Sequence, residues 1–212
     1  MSATRYQLFG RSASHYTRLV RIVAHEAGVD LSFRPISSLK SQDPADYGGH
    51  PGLKMPTLYD GETHIFGSIE ICRRLVAASP KGLAVAWPEA LPLDLRNAWE
   101  LLSQAMQAQV QLAFGVAVCG LPADHIYFSK AQRGLEGALD WIEARLPDLL
   151  AAEPAADLSL FQATIFCLME HLVFRPTYQP RRRPALEAVR DAFGARTSAT
   201  ATPYGLDPGT WA

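Results

Sequence analysis

Hydrophobic and polar residues alternate in short segments at the start of the sequence. Residues 5–9 alternate weakly, which predicts a first strand. Apolar residues then recur at helical spacing from Ser14 and stop at Gly28, so we expect a helix between these two residues. The run 31–36 predicts a second strand, and Pro35 places it at a sheet edge. The order is therefore strand, helix, strand.

A second pair of short runs follows a proline. Pro56 has no N–H to give to a sheet, so it belongs at the first residue of a strand or at an edge. It leaves the backbone of Met55 accessible. The β-rich runs 57–59 and 63–66 flank Asp60-Gly61, a dipeptide typical of hairpin turns. We therefore expect two further strands that pair with each other.

Gly67 and Ser68 stand at the predicted start of an amphipathic helix that buries Ile71, Cys72 and Leu75. An accessible backbone edge, a hairpin and a helix N-terminus thus fall within residues 54–68. Helix N-termini bind anions through their N–H groups and their dipole. This stretch can therefore hold a peptide-like anion.

The pattern changes after this helix. Prolines and a glycine are concentrated over residues 80–91, which we interpret as a linker. It separates a first domain, residues 1–79, from a second domain, residues 92–212. The first is expected to be an α/β domain with a mixed four-stranded sheet.

The second domain is predicted to be an all-α helical bundle. Apolar stripes at helical spacing mark four helices, over about residues 95–119, 131–146, 163–174 and 184–193. The third follows a capping box, Ser159 with Gln162, and is apolar nearly all round, so we expect it at the centre of this domain. The tail beyond Phe193 carries several prolines and glycines and is expected to lack regular structure.

Composition argues against several classes of function. The 20 lysines and arginines balance 21 aspartates and glutamates, which disfavours nucleic acid and anionic membranes as partners. The short basic run 181–183 is interpreted as a solvated loop. The three cysteines and six histidines lack the spacing of a disulfide framework or a metal site, so no metal is expected. Without a leader or an apolar run long enough to cross a membrane, the expected localisation is cytoplasmic.

Five motifs, in order, resemble those of the cytosolic glutathione transferase superfamily. The segment Ser14-His15-Tyr16-Thr17-Arg18-Leu19-Val20 is similar to the family's Ser-Pro-Tyr-x-Arg-x-Val at its first helix, and residues 50–56 resemble its Asn-Pro-x-Gly-Lys-Val-Pro loop before a cis-proline. Residues 67–71 resemble its Glu-Ser-x-Ala-Ile, the Ser159 capping box matches its core-helix cap, and residues 183–186 are similar to the ending of bacterial serine-type members. The resemblance spans about residues 5–203 and implies a thioredoxin-like first domain.

The resemblance also implies a function: a homodimeric glutathione transferase that serves in detoxification. Ser14 would activate the thiol of glutathione, because a hydroxyl donor at a helix start interacts better with S⁻ than with SH. The co-substrate glutathione would be bound by Lys54, Met55, Pro56, Gly67 and Ser68. A small hydrophobic electrophile would be held by Met106, Gln109, Val110 and Phe114.

Departures from the family pattern leave alternatives open. Gly67 stands where the family usually has an acidic or amide residue, so one contact to glutathione is expected to be missing. His15 replaces a proline, and Ser12 or Tyr16 remain alternatives to Ser14, which is otherwise only a helix cap. The protein is alternatively a non-catalytic binding or assembly module. A third alternative is an enzyme that uses the same thiolate for peroxide reduction, dehalogenation or isomerisation.

Overall fold

The computed structural model describes residues 5–208, which form two compact units. The first unit contains the residues up to Leu83 together with the segment from Ala195 onwards, and the second contains Ala84–Gly194. The first combines a mixed sheet with helices, and the second is mainly helical. The predicted fold class is confirmed.

Four strands form the sheet of the first unit. They are β1 (Tyr6–Gly10), β2 (Leu31–Pro35), β3 (Thr57–Tyr59) and β4 (His64–Phe66). Their order is β2-β1-β3-β4, with β1 parallel to β2 and antiparallel to β3, and β3 antiparallel to β4. Strand β2 lies at the edge, as Pro35 predicts, because a proline gives no N–H to a neighbouring strand.

Helix α1, His15–Ala27, connects β1 to β2 and lies where the sequence predicts it. Ser14 is its N-cap, and the Ser14 Oγ accepts a hydrogen bond from the Thr17 N–H at 3.2 Å. Gly28 ends the helix with φ at 68°, a left-handed conformation that strains residues with a Cβ. Local sequence signals therefore determine both ends of α1.

The peptide bond between Met55 and Pro56 is cis, as the family resemblance implies. It leads directly into β3. The hairpin between β3 and β4 is closed by Asp60, whose N–H donates to the Thr63 carbonyl at 3.1 Å. Helix α2, Ser68–Ala77, follows β4 and buries Ile71, Cys72 and Leu75. The segment 55–77 thus has the predicted order of strand, hairpin, strand and helix.

The second unit contains five α-helices within the described residues. They are α3 (Leu93–Leu112), α4 (Ile126–Glu143), α5 (Leu146–Ala151), α6 (Leu160–Phe174) and α7 (Pro184–Gly194). A π-helical segment, Ala113–Val118, extends α3. The stripe predicted over 131–146 ends earlier, at Glu143, because Pro147 lies in the first turn of α5, where its missing N–H costs no helical hydrogen bond.

Helix α6 is buried along most of its length, as its apolar sequence predicts. The Ser159 Oγ caps it by accepting the Gln162 N–H at 3.0 Å. The Gln162 side chain donates to Glu153 Oε2 at 2.7 Å instead of returning to Ser159. A short parallel pair, β5 (Val85–Ala86) and β6 (Leu158–Ser159), lies just before this helix start.

Two expectations about the last third of the chain are corrected. The predicted irregular tail contains a short helix, α8 (Thr197–Thr200), and residues 195–208 pack with the first unit, not with the helices that precede them in sequence. Arg183, expected in a solvated loop, is buried. Its guanidinium donates to Glu136 Oε2 at 2.9 Å and to Asp140 Oδ1 at 2.8 Å. The two carboxylates compensate the burial of its charge.

Candidate functional site

The strand register brings three segments of the first unit to one end of the sheet. Phe9 of β1 is paired with Thr57 of β3, and Thr57 is paired with Phe66 of β4. From this row the chain leads into the loop before α1, back to the cis-proline before β3, and forward into α2. Three of the predicted site residues therefore lie at the same end of the sheet: Ser14, Met55 and Ser68.

Ser14 lies at the N-terminus of α1 and is largely buried. Its oxygen accepts the Thr17 N–H, which leaves its hydroxyl hydrogen able to donate to a ligand. The first turn of α1 contains no acidic residue, so no carboxylate there opposes the positive end of the helix dipole. This position therefore suits a hydroxyl that donates to an anion.

The two hydroxyls that competed with Ser14 differ from it. Ser12 Oγ donates to Asp207 Oδ1 at 2.7 Å, so its hydrogen is already bound to a carboxylate. Burial raises the pKa of Tyr16 to about 12, which keeps the phenol neutral throughout the physiological range. A neutral phenol can still donate to an anion, so Tyr16 stays an alternative to Ser14, which differs from it by its place at the N-terminus of α1.

One basic side chain lies in the loop before α1, and a second lies at the start of that helix. Arg11 and Arg18 are both buried. Burial lowers the pKa of Arg11, and the Asp207 carboxylate partly offsets this effect. Arginine nevertheless remains protonated at neutral pH. The loop thus combines fixed positive charge with a helix N-terminus, and both favour an anionic ligand.

The loop that leads to the cis-proline exposes the backbone of Met55. Both ladders of β3 begin at Thr57, so Met55 lies outside them. The loop is held by His50, whose Nδ1 accepts the Gly52 N–H at 3.0 Å and whose ring lies 4.5 Å from that of Phe66. Lys54 is exposed. An extended ligand can therefore pair with Met55 beside a lysine.

Gly67 is the N-cap of helix α2 and provides no side-chain cap for it. The first N–H groups of a helix have no partner inside the helix, so those at Ser68 and the next residues are available to a ligand. Gly67 has φ at 84°, and a Cβ placed there would meet no heavy atom within 4 Å. The space beside the helix start is therefore open.

The four residues predicted to hold an electrophile lie on α3 and its π-helical extension and differ in exposure. Met106 and Gln109 are buried, and Gln109 is fully engaged: its amide donates to the Arg175 carbonyl at 3.1 Å and accepts from Thr177 Oγ1 at 3.0 Å. Val110 is half-buried and Phe114 is exposed. Val110 and Phe114 are therefore accessible to a ligand, whereas Met106 and Gln109 are buried within the helical unit.

Sequence reasoning missed Asp207 and Arg11. Neither carries a local signal, because Asp207 lies in a segment without hydrophobic periodicity and Arg11 in a polar loop. The described residues contain no cluster of three or more potential metal-ligating side chains. No described helix has both the length and the apolarity needed to span a membrane. All three cysteines are described, and none forms a disulfide.

A mixed βαβ-ββα domain with a cis-proline before its third strand, joined to a helical unit, defines a class: proteins that couple a thioredoxin-like domain to an all-α domain. The family comparison narrows this class. Residues 8–82 match the model of the glutathione S-transferase N-terminal domain. These residues are therefore a glutathione S-transferase N-terminal domain, and the chain has the glutathione S-transferase fold.

Solved structures extend the similarity over nearly the whole chain. A glutathione S-transferase from Methylobacterium radiotolerans, in complex with glutathione sulfonate, is 24% identical with a TM-score of 0.76, covering 96% of this chain and 97% of that one. One from Methylobacillus flagellatus with glutathione bound is 22% identical with a TM-score of 0.73, covering 94% and 100%. No curated protein matches the sequence.

Proposed function

We propose that the protein is a glutathione transferase of the serine type, which activates the thiol of glutathione for attack on a small hydrophobic electrophile. The observation that carries this proposal is the placement of Ser14, Met55 and Ser68 at one end of the sheet. The ligands of the similar Methylobacterium and Methylobacillus structures, glutathione sulfonate and glutathione, support it. The dimeric state and the role in detoxification belong to the same proposal.

Thiol activation requires that the site prefer S⁻ to SH. A cysteine thiol has a pKa of about 8.5, so little thiolate exists at neutral pH. Lowering that pKa by two units requires about 2.7 kcal/mol of preferential stabilisation. The Ser14 hydroxyl and the N-terminus of α1 both contribute in this direction, while the Asp207 carboxylate offsets part of the positive charge of Arg11.

The rest of glutathione would occupy the two neighbouring segments. Met55 would pair through its backbone with the cysteinyl residue, in the manner of an added strand. The γ-glutamyl carboxylate would accept hydrogen bonds from the Ser68 hydroxyl and the N-terminus of α2. Lys54 would meet the glycyl carboxylate. The electrophile would contact Val110 and Phe114, with Met106 and Gln109 behind them.

A specific observation also favours the alternative of a non-catalytic module. Gly67 provides no side chain at the start of α2, and the space beside it is open. One contact to the γ-glutamyl group is therefore absent, which weakens glutathione binding under either function. A catalytic protein and a module that only binds glutathione then differ in whether the bound thiol ionises.

Calorimetric titration with reduced glutathione tests the proposal. Repeating it in buffers of different ionisation enthalpy measures the protons released on binding. For a thiol pKa lowered by two units we expect binding with release of about 0.7 proton at pH 7, because the thiol enters protonated and is held mostly as thiolate. Binding without proton release would favour a binding module that does not activate the thiol, and no binding at all would refute the transferase and favour a non-catalytic assembly module.

A further inference from the structure

The segment 195–208 runs along the whole of α1. At the C-terminal end of that helix, Glu26 accepts hydrogen bonds from Arg196 Nε at 2.8 Å and from Ser198 Oγ at 2.6 Å. Burial alone would raise the pKa of Glu26, but these two hydrogen bonds, together with the electrostatic effects of Arg196 and His25, lower that pKa. The segment is therefore fixed at this end by a charged carboxylate.

The middle of α1 provides a second attachment. Arg18 is buried, and its Nη2 donates to the Ala199 carbonyl at 3.4 Å. The guanidinium also lies 4.3 Å from the ring centre of Tyr204, a distance typical of cation–π contacts. One arginine thus binds the segment on both sides of the turn that follows α8.

The third attachment lies at the start of α1, beside the proposed thiol site. Both oxygens of Asp207 are engaged with Ser12: one accepts the backbone N–H at 2.7 Å and the other accepts the hydroxyl at 2.7 Å. Bidentate, charge-assisted hydrogen bonds of this kind are short and directional. Asp207 is itself mostly buried, so water competes little for these bonds.

Ser12 lies inside the turn that ends at Ser14. The Ser14 N–H donates to the Arg11 carbonyl at 3.0 Å, so residues 11–14 form one closed turn. Asp207 binds Ser12, the second residue of that turn. Ser14, the fourth residue, carries the hydroxyl proposed to donate to the thiolate. A displacement of Ser12 therefore moves Ser14.

We propose that Asp207 is a positioning residue that holds the 11–14 turn and thereby aims the Ser14 hydroxyl at the thiol. This proposal rests on the proposed function. It assigns Ser12 as an anchor, not as the thiol-activating group. It also explains why a carboxylate is tolerated near a site for an anion: its charge is taken up by Ser12 and by the neighbouring Arg11 and Arg21.

The test compares Asp207→Asn with the full-length wild type, using two measurements. Amide hydrogen exchange at Ser12 and Ser14 reports the hold on the turn without any ligand, and we expect faster exchange in the variant. The ultraviolet absorbance of the thiolate, followed against pH in the glutathione complex, reports the pKa of the bound thiol. We expect that pKa to rise and kcat/KM to fall about tenfold, since misplaced groups lose much of their catalytic effect.

The direction of the thiol pKa separates positioning from simple charge. Removing a nearby negative charge would by itself lower the pKa of the bound thiol, whereas loss of the Ser14 hydrogen bond raises it. Asp207→Glu should restore part of the wild-type value because it keeps the carboxylate. Ser198→Ala is the matched control: it loosens the far end of the same segment and should leave the thiol pKa unchanged.

The outcomes are distinguishable. Unchanged exchange at Ser12 and Ser14 in Asp207→Asn would overturn the hold on the turn, and faster exchange with an unchanged or lower thiol pKa would overturn its link to Ser14. Absence of glutathione binding by the wild type would instead refute the proposed function, and with it the role of Asp207 in thiol activation.

Discussion

Ser12 and Ser14 are two residues apart, yet their hydroxyls have opposite roles in hydrogen bonding. Ser12 donates its hydrogen to a carboxylate, while Ser14 accepts a backbone N–H and keeps its hydrogen for another partner. A thiolate needs a donor, so only the second arrangement helps to form one. The chemistry of this loop therefore depends on which atom each hydroxyl already uses.

Replacing Ser14 by alanine should reduce turnover at least tenfold while glutathione still binds. The lost hydroxyl stabilises the thiolate, and tenfold in rate corresponds to about 1.4 kcal/mol. Turnover with an activated aryl halide and calorimetric binding of glutathione measure the two effects. Ser14→Thr should retain most of the activity because it keeps both the cap and the donor.

Ser159→Ala is the matched control for the loss of a helix cap. Ser159 caps α6 as Ser14 caps α1, and removing either cap costs about 1 kcal/mol of stability. The Ser159 variant should therefore be less stable but retain its turnover. Full turnover in Ser14→Ala would transfer the activating role to another group.

At the scale of single elements, the β3–β4 hairpin depends on the ionised form of Asp60. Its Oδ1 accepts the N–H groups of Thr63 and Glu62 at 3.0 and 3.1 Å, and its Oδ2 accepts from Arg74 Nε at 2.8 Å. The hydrogen bond from Thr63 has the largest effect on the Asp60 pKa, and burial opposes this effect. Together with the Glu62 and Arg74 contacts, the Thr63 hydrogen bond lowers the Asp60 pKa to about 2. The hairpin between the cis-proline and α2 therefore contains a carboxyl group with an unusually low pKa.

Stability should fall as the pH drops from about 4 towards 2. The folded pKa lies below the unfolded value, so Asp60 contributes its full stabilisation above the unfolded pKa and loses it on protonation. Asp60→Asn should lower the urea midpoint at neutral pH and flatten this acid decline. Glu62→Gln, which changes a neighbouring but exposed carboxylate, should leave both unchanged. An equally steep loss of stability with falling pH in Asp60→Asn would show that another group causes the acid sensitivity.

The start of α2 allows a second prediction at this scale. Gly67 adopts φ at 84°, so any side chain there costs about 1–3 kcal/mol of backbone strain, although nothing blocks a Cβ. Gly67→Ala measures that cost alone. Gly67→Glu adds a carboxylate that can meet the amino group of the γ-glutamyl residue, and a charge-assisted hydrogen bond is worth about 1.5–3 kcal/mol. Calorimetry should therefore find tighter glutathione binding in the Glu variant than in the Ala variant.

Equal affinities in the two Gly67 variants would mean that Ser68 and the backbone of α2 suffice to hold the γ-glutamyl group. Comparison with Gly67→Ala, not with the wild type, is essential here. Both variants share the same backbone strain, so their difference isolates the carboxylate.

At the scale of the whole molecule, the sequence predicts those structural features that depend on residues close to one another in the chain. The caps at Ser14, Gly28 and Ser159 and the hairpin at Asp60 are encoded within a few residues, and all are present. The cis bond before Pro56 followed from the family resemblance. Periodic apolar stripes located the helices because each buries one face.

Contacts between distant polar residues were not predictable in this way. Asp207 and Ser12 are separated by 195 residues, and Arg183 and its partner Asp140 by 43. A single polar residue carries no periodic signal, and a basic run has the same composition whether its partner is water or a buried carboxylate. The packing of the tail with the first unit and the burial of Arg183 were missed for this reason.

The division of the first unit into two stretches of chain has a consequence for biosynthesis. Because residues 84–194 are inserted between its parts, the ribosome makes β1, α1 and the cis-proline loop long before the segment that carries Asp207. At ordinary elongation rates this delay is on the order of ten seconds. During that time α1 lacks the segment that later lies along it, and a nascent chain interrupted within the helical unit has no Asp207 to bind Ser12 in the 11–14 turn. Completion of the proposed thiol site would thereby depend on synthesis of the helical unit.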